Sequence, residues 1–102
     1  MIITMLKLKP TAGYEKRFIS ALKLISAQTE GSPGCLESSL FQVSDECDLF
    51  CYFERWASDE DLKRHIKTEN YKRLLSLIEA SADIPELDYY RVLDYAGVGT
   101  RQ

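Results

Sequence analysis

No stretch of this sequence approaches the ~20 consecutive apolar residues that a membrane-spanning helix needs. The first residues, MIITMLKLKP, also lack the basic start, long apolar run and small-residue cleavage site of a signal peptide. The chain has 102 residues, of which 45% are hydrophobic and 28% charged, and this composition is typical of one globular domain covering residues 1–102. We therefore expect a cytoplasmic protein with no membrane partner.

The cysteines and the histidine are not spaced as a metal site of the usual kind requires. The chain has three cysteines (Cys35, Cys47 and Cys51) and one histidine, His65. A structural zinc site takes about four such ligands, and Cys47 and Cys51, which three residues separate, have no further cysteine or paired histidine nearby. An odd number of cysteines, in a chain without an export signal, indicates reduced thiols. The sequence therefore predicts no metal site.

Basic residues do not outnumber acidic ones. There are 13 Lys and Arg against 16 Asp and Glu, which gives a net charge of −3 and argues against a nucleic-acid partner. Acidic residues dominate positions 35–61, and basic residues dominate positions 62–82. Two explanations stay open: charges that complement a helix dipole along a solvated face, or an anion-binding surface.

Hydrophobic periodicity and turn residues divide the chain into alternating strands and helices. A polar turn at Ser44–Cys47 makes the second and third strands a hairpin. The predicted elements, in chain order, are a strand over Ile2–Leu8, a helix over Thr11–Thr29, strands over Cys35–Val43 and Leu49–Trp56, a helical region that Ser58 caps and Pro85 ends, and a strand over Asp88–Ala96.

The second helical region carries two apolar stripes that do not share a face. One stripe includes Leu62 and His65, and the other begins at Tyr71. On a straight helix of 3.6 residues per turn, Leu62 and Tyr71 lie on opposite sides. We therefore expect a break near Lys67–Glu69, with Thr68 as the cap of the second helix.

The element order β-α-β-β-α-β predicts an α+β, ferredoxin-like fold. Its simplest form is one antiparallel sheet with both helices on the same face. The strands are apolar on both alternating faces, so the uncovered face would expose a large apolar surface. A homodimer that buries two such faces against each other is the expected assembly.

The single tryptophan and the single histidine are the candidate site. Strand alternation places Tyr52, Glu54 and Trp56 on one face. His65 lies on the apolar stripe of the next helix, so these four side chains converge if that face meets the helices. Ordinary packing is the alternative for each, and ion pairing or capping is the alternative for Glu54.

A longer pattern surrounds these residues. It comprises a glycine before the first helix, a Pro-Gly-Cys step into the second strand, a Glu-x-Trp at the end of the third strand, and a histidine nine residues after that tryptophan. The positions are Gly13, Pro33, Gly34, Cys35, Glu54, Trp56 and His65. In this pattern, which spans nearly the whole chain, the sequence strongly resembles the antibiotic biosynthesis monooxygenase superfamily of dimeric α/β-barrel proteins.

The resemblance implies a homodimeric barrel whose subunits each hold a pocket between sheet and helices. Several members oxidise quinols, anthrones or related phenols with O2, without metal, haem or flavin, so no cofactor is expected. His65 is then the candidate base, and Glu54 orients a proton-bearing group. Trp56 and Tyr52 are candidate substrate walls, and Asn70 and Tyr71 are further candidates for polar contacts.

Membership of this superfamily leaves other activities open. Its haem-degrading members carry a tryptophan at the position of His65 and a haem-ligating histidine at the position of Leu75, and this chain has neither. Other relatives include an isomerase and stress-related proteins of unclear activity. A non-catalytic barrel that binds a small apolar ligand is therefore an alternative, and so is an isomerase.

Overall fold

The structure, a computed structural model, describes residues 1–43, 48–82 and 84–93. Four strands form one antiparallel sheet, with helices packed on one face, in the α+β ferredoxin-like arrangement that the sequence predicts. The elements are β1 (Ile2–Leu8), α1 (Glu15–Glu30), β2 (Cys35–Gln42), β3 (Phe50–Trp56), α2 (Asp59–His65), α3 (Glu69–Glu79) and β4 (Glu86–Arg91). The strand order across the sheet is β2-β3-β1-β4.

The hydrophobic core lies between the helices and the inner face of the sheet. Apolar residues of α1 recur at helical spacing and meet alternate residues of β1 and β3. The core residues are Leu6, Leu8, Phe18, Leu22, Ile25, Tyr52 and Leu74. In the ranges that the structure describes, no helix is both long enough and apolar enough to cross a membrane.

The predicted break in the second helical region is confirmed. α2 ends at His65 and α3 begins at Glu69. The hydroxyl of Thr68 accepts a hydrogen bond from the backbone N–H of Tyr71 at 3.2 Å, so Thr68 caps α3. Ser58 caps α2 in the same way, through the N–H of Asp61. The break lets both apolar stripes face the core.

The boundaries of two elements differ from the prediction. α1 begins at Glu15 rather than Thr11, because Gly13 has a φ of 87° and the preceding residues form a turn. β4 was predicted over Asp88–Ala96, but it begins at Glu86 and ends at Arg91. The pairing explains this, since Arg91 lies opposite Ile2, the first residue of β1, and the partner strand ends there.

The other strand boundaries agree with the prediction to within one residue, and β1 agrees at both ends. β2 ends at Gln42, one residue before the predicted Val43, and β3 begins at Phe50, one residue after the predicted Leu49. The predicted turn at Ser44–Cys47 lies outside the described residues. So does the part of the predicted last strand from residue 94 onward.

Gly34, in the step from α1 to β2, occupies a position that only glycine fits. Its φ of 81° lies in the left-handed region, which side chains disfavour. A Cβ atom at this position would also collide with the side chain of Asp61 on α2. The Gly34 carbonyl accepts a hydrogen bond from the N–H of Ala57 at 2.8 Å, so this backbone closes against the end of β3.

The outer face of the sheet is not covered by any element within the described ranges. Alternation places Ile3 and Met5 of β1 and Phe53 of β3 on this face, where Met5 lies opposite Phe53. Phe41 and Tyr90 flank them and are about half exposed. The face is therefore mixed, because the same alternation places Lys7, Glu37, Arg55 and Asp88 beside these apolar side chains.

Candidate active site

The end of β3 presents a tryptophan and a glutamate side by side on the inner face of the sheet. Glu54 and Trp56 are two residues apart, so they share one face of the strand, as the sequence predicts, and in the structure this face meets the helices. The indole Nε1–H of Trp56 donates a hydrogen bond to Glu54 Oε1 at 2.9 Å. Trp56 is 0% exposed and Glu54 is 3% exposed. This carboxyl group is therefore held almost out of water.

His65, the last residue of α2, packs against this pair. Its ring lies 4.6 Å from that of Trp56, measured between centroids, and 5.6 Å from that of Tyr71 in an edge-on arrangement. The His65 Nε2 atom is 3.8 Å from Glu54 Oε2. This separation is longer than a hydrogen bond but short enough for direct electrostatic coupling.

Burial determines the charge state of His65. Removing water from the imidazolium lowers the pKa of His65 below its ordinary value of 6.5, and the negative charge of Glu54 opposes this effect only in part. The imidazole is therefore neutral near pH 7. A neutral imidazole next to a carboxyl group can take up a proton that the carboxyl group receives.

A cavity of about 160 Å³ opens beside Glu54, between the sheet and the helices α2 and α3. Most of its lining is aliphatic or aromatic, and Glu54 is the one acid in that lining. Glu54 Oε2 has no hydrogen-bond partner within the described residues. The lining residues are Thr4, Leu6, Tyr52, Glu54, Leu62, Ile66, Tyr71, Leu74, Ile78, Leu87 and Tyr89.

The predicted site residues fall into two groups. Glu54, Tyr52 and Tyr71 line the cavity. Trp56 and His65 are absent from that lining and lie behind Glu54, which contacts both. The structure thus brings Trp56, His65, Glu54 and Tyr71 together, with Glu54 between the cavity and the two rings.

Asn70 belongs to a separate polar network. Its side-chain N–H2 donates hydrogen bonds to the carbonyl of Ile25 at 3.1 Å and to the Thr29 hydroxyl at 2.8 Å. The Tyr52 hydroxyl also donates to Thr29, at 3.1 Å. Asn70 therefore ties α3 to α1, whereas Tyr52 both lines the cavity and joins this network through its hydroxyl. Burial raises the pKa of Tyr52, so this phenol stays neutral.

Sequence reasoning missed the contribution of β4 to the cavity. Leu87 and Tyr89 lie opposite Leu6 and Thr4 of β1, and all four line the cavity. The alternation of Leu87 and Tyr89 was the available signal, but the correct register of β4 was needed to use it. The Tyr89 hydroxyl donates to Asp59 of α2 at 2.9 Å, which fixes this wall.

The pH dependence of stability is expected to reflect the buried histidine. Because the pKa of His65 is lowered in the folded state, the unfolded chain binds the proton first as pH falls. The stability that this group contributes is complete above about pH 6.5, and it is lost as pH falls through the folded-state pKa. We therefore expect the free energy of unfolding of the wild type to decrease as pH falls below about 6.5.

Urea unfolding of the wild type and of His65→Gln, at about pH 5, 6 and 7.5, tests this expectation. The variant should lose the slope. The pKa values of Glu37 and Asp61 are lowered from 4.5 and 3.8, so these carboxyl groups change charge at more acidic pH. They therefore do not affect the comparison of the two slopes. An equal slope in both proteins would contradict the assignment.

Three comparisons relate the chain to known proteins. The family model described as antibiotic biosynthesis monooxygenase matches residues 1–76. A search of curated protein sequences finds no significant match.

Solved structures with the same fold come from several bacteria. A candidate antibiotic biosynthesis monooxygenase from Nitrosomonas europaea has a TM-score of 0.81 and 19% identity, and the match covers 92% of this chain and 100% of that chain. A candidate antibiotic biosynthesis monooxygenase from Deinococcus radiodurans has a TM-score of 0.82 and 16% identity, over 93% and 95% of the two chains. A protein from Pseudomonas aeruginosa has a TM-score of 0.78 and 25% identity, over 91% and 94%.

Proposed function

Since the chain belongs to the antibiotic biosynthesis monooxygenase family, we propose that it is a monooxygenase that oxidises quinol- or anthrone-like phenols with O2. We propose that the reaction needs no metal, haem or flavin, and that the protein acts in the cytoplasm. The observation that carries the proposal is Glu54, which lines a mostly apolar cavity and whose buried Oε2 atom has no hydrogen-bond partner among the described residues.

The first step is removal of a proton from the bound substrate. A substrate hydroxyl donates a hydrogen bond to Glu54 Oε2, and its proton passes to the Glu54–His65 pair. A movement of less than about 1 Å brings His65 Nε2 within hydrogen-bond distance of Glu54, and catalytic hydrogen bonds are often this long before substrate binds. The neutral imidazole then holds the proton.

The second step is electron transfer to O2. The substrate anion gives one electron to O2, which forms a substrate radical and superoxide. The two combine at a ring carbon that carries a hydrogen atom, and the new C–O bond forms a peroxide anion, which takes the proton back from His65 to become a hydroperoxide. The C–H bond at that carbon and the O–O bond then break together, so that the carbon becomes a carbonyl and water leaves. One oxygen atom ends in the quinone product and the other in water, and the substrate supplies all four electrons that this needs.

Apolar walls assist both steps. They exclude water from the anion and from superoxide, and they hold a flat ring against Tyr52 and Tyr71. Trp56 acts on the substrate indirectly, because its N–H bonds one Glu54 oxygen and holds the carboxyl group in place, while the other oxygen has no partner among the described residues.

One observation favours a second candidate, a non-catalytic protein that binds a small phenolic or apolar ligand. His65 does not line the cavity, so it reaches a ligand only through Glu54. Binding without turnover would follow if the proton cannot pass between the two side chains.

Oxygen consumption separates these candidates. An O2 electrode is used with freshly reduced one-ring quinols, naphthoquinols and anthrones, each with and without protein to correct for autoxidation. The monooxygenase should consume one O2 for each quinone formed. Ligand binding with no uptake above the protein-free rate would instead support the binding protein.

We also propose that two copies associate through the outer face of the sheet. Phe53 and Met5 lie at the centre of this face, and the half-exposed Phe41 and Tyr90 extend it. Burying such a surface against a second copy gains free energy from the hydrophobic effect.

The assembly is tested by placing a charge at the centre of that face. Phe53→Asp should convert a dimer to a monomer in light scattering coupled to gel filtration, because the buried charge would be unpaired. Leu24→Asp is the control, since Leu24 lies on α1 and is 58% exposed. A wild-type monomer, or a Phe53→Asp dimer as stable as the wild type, would contradict the proposed interface.

A further inference from the structure

The size of the cavity limits what it can hold. Its volume is about 160 Å³, and an apolar protein cavity of about 150 Å³ is known to bind benzene. Its inner walls include Leu6, Tyr52 and Leu74, all of which are buried in the core. Core side chains are close-packed and yield little, so a second or third fused ring would have to displace them.

Glu54 is the acidic group in the cavity lining, and it favours a ligand that donates a hydrogen bond. Glu54 Oε1 already accepts from Trp56, whereas Oε2 has no partner within the described residues. A carboxylate only accepts hydrogen bonds. It therefore favours a ligand hydroxyl, and it cannot form a hydrogen bond with an ether or a ketone oxygen. The apolar walls favour the ring that carries the hydroxyl.

The shape of the cavity fixes the direction of binding. Glu54 is 3% exposed, whereas Ile66, Leu87 and Tyr89 are 43%, 62% and 47% exposed. These three residues mark the open side of the cavity. A ring that reaches Glu54 with its hydroxyl thus has the opposite, para, carbon at the opening, and its ortho carbons against the walls.

We propose that the site binds one-ring phenols and quinols, hydroxyl first, in preference to fused-ring quinols and anthrones. This inference rests on the proposed function and narrows its substrate class. Substituents para to the anchored hydroxyl extend between Ile66 and β4 toward solvent. Substituents ortho to it meet the buried walls.

Isothermal titration calorimetry without O2 tests the inference, because it measures binding apart from turnover. The ligands are 4-methylphenol, its methyl ether 4-methylanisole, 2-methylphenol and 1-naphthol. We expect 4-methylphenol to bind about 10–100-fold more tightly than 4-methylanisole, which is the effect of one hydrogen bond to a charged group. 2-Methylphenol and 1-naphthol should bind more weakly than 4-methylphenol, because the methyl group of one and the second ring of the other lie ortho to the hydroxyl and meet the buried walls.

Two variants assign the binding to this cavity. Glu54→Gln should reduce the difference between 4-methylphenol and 4-methylanisole, because it replaces an acceptor-only group with one that also donates. Ile66→Trp should weaken the binding of both by filling the opening. Leu75→Trp is the matched control, because Leu75 is 42% exposed and is absent from the cavity lining. Neither Ile66 nor Leu75 is in the core, so both variants should fold.

Several results would overturn the inference. These are equal binding of 4-methylphenol and 4-methylanisole, tighter binding of 1-naphthol than of 4-methylphenol, or Ile66→Trp binding the phenols as well as Leu75→Trp does. Failure of the proposed function looks different. One-ring phenols would bind as expected, but one-ring quinols would give no O2 uptake. O2 uptake with anthrones but no binding of one-ring phenols would retain the monooxygenase and reject the substrate class.

Discussion

Glu54→Gln is expected to lower kcat for quinol oxidation by about 10²–10⁴-fold, the usual contribution of a positioned general base. The amide cannot accept the substrate proton, but it has nearly the same shape and its oxygen can still accept from Trp56 Nε1. His65→Gln should cause a smaller loss, because Glu54 remains in contact with the substrate. The ordering of the two losses reflects the position of Glu54 on the cavity wall, with His65 behind it.

The loss of activity should not reflect loss of fold. Glu54 is a buried carboxyl group with one hydrogen bond to Trp56 and one oxygen without a partner within the described residues, an arrangement that costs folding free energy. We therefore expect Glu54→Gln to unfold at the same urea concentration as the wild type or at a higher one. A residue that costs stability and supports activity is typical of active sites.

Initial rates of O2 uptake across a range of quinol concentrations provide the measurement. Glu69→Gln is the matched control, since Glu69 lies on α3 with its side chain 76% exposed. An active Glu54→Gln variant would remove this residue from the mechanism. A larger loss in His65→Gln than in Glu54→Gln would reverse the roles proposed for the two side chains.

Gly34→Ala is expected to destabilise the protein by about 2–4 kcal/mol. Two effects add. The left-handed backbone at φ 81° disfavours any side chain, and the new methyl group collides with Asp61. Asp61 cannot easily move away, because it pairs with Arg64 at 3.0 Å and contacts the Ser58 hydroxyl at 2.8 Å. The strain therefore falls on the start of α2, the helix that carries His65.

Gly31→Ala is the control for Gly34→Ala. Gly31 has an ordinary φ of −80°, and a Cβ atom there would only touch the carbonyl of Gln28 at a normal distance. That variant should be neutral or more stable by about 0.4–1 kcal/mol, because alanine restricts the unfolded chain. Urea unfolding of both variants gives the comparison, and equal stability of the two would refute the explanation.

The features of the fold that depend on local geometry were predicted correctly from the sequence. Opposed apolar stripes predicted the break between α2 and α3, and the hydroxyl of Thr68 was correctly identified as its cap. Strand alternation predicted that Glu54 and Trp56 share the inner face. These results follow from helical and strand periods, which depend only on neighbouring residues.

The periodicity of the sequence does not show which side chain reaches the cavity, or in which register two distant strands pair. Alternation assigns a side chain to a face, but it does not say which of Glu54 and His65 reaches the cavity. That depends on the hydrogen bond from Trp56 and on where α2 ends. The register of β4 depends on the length of β1, which is distant in sequence, so the contribution of Leu87 and Tyr89 to the cavity was not predicted.

The bond between Trp56 and Glu54 also gives the protein a built-in optical reporter. Trp56 is the chain's single tryptophan, its ring is shielded from water, and its N–H is bonded to the carboxyl group that lines the cavity. A change in the charge of that carboxyl group, or a new donor at its other oxygen, alters the electric field at the indole. The tryptophan fluorescence of the unlabelled protein is therefore expected to change when a ligand occupies the site.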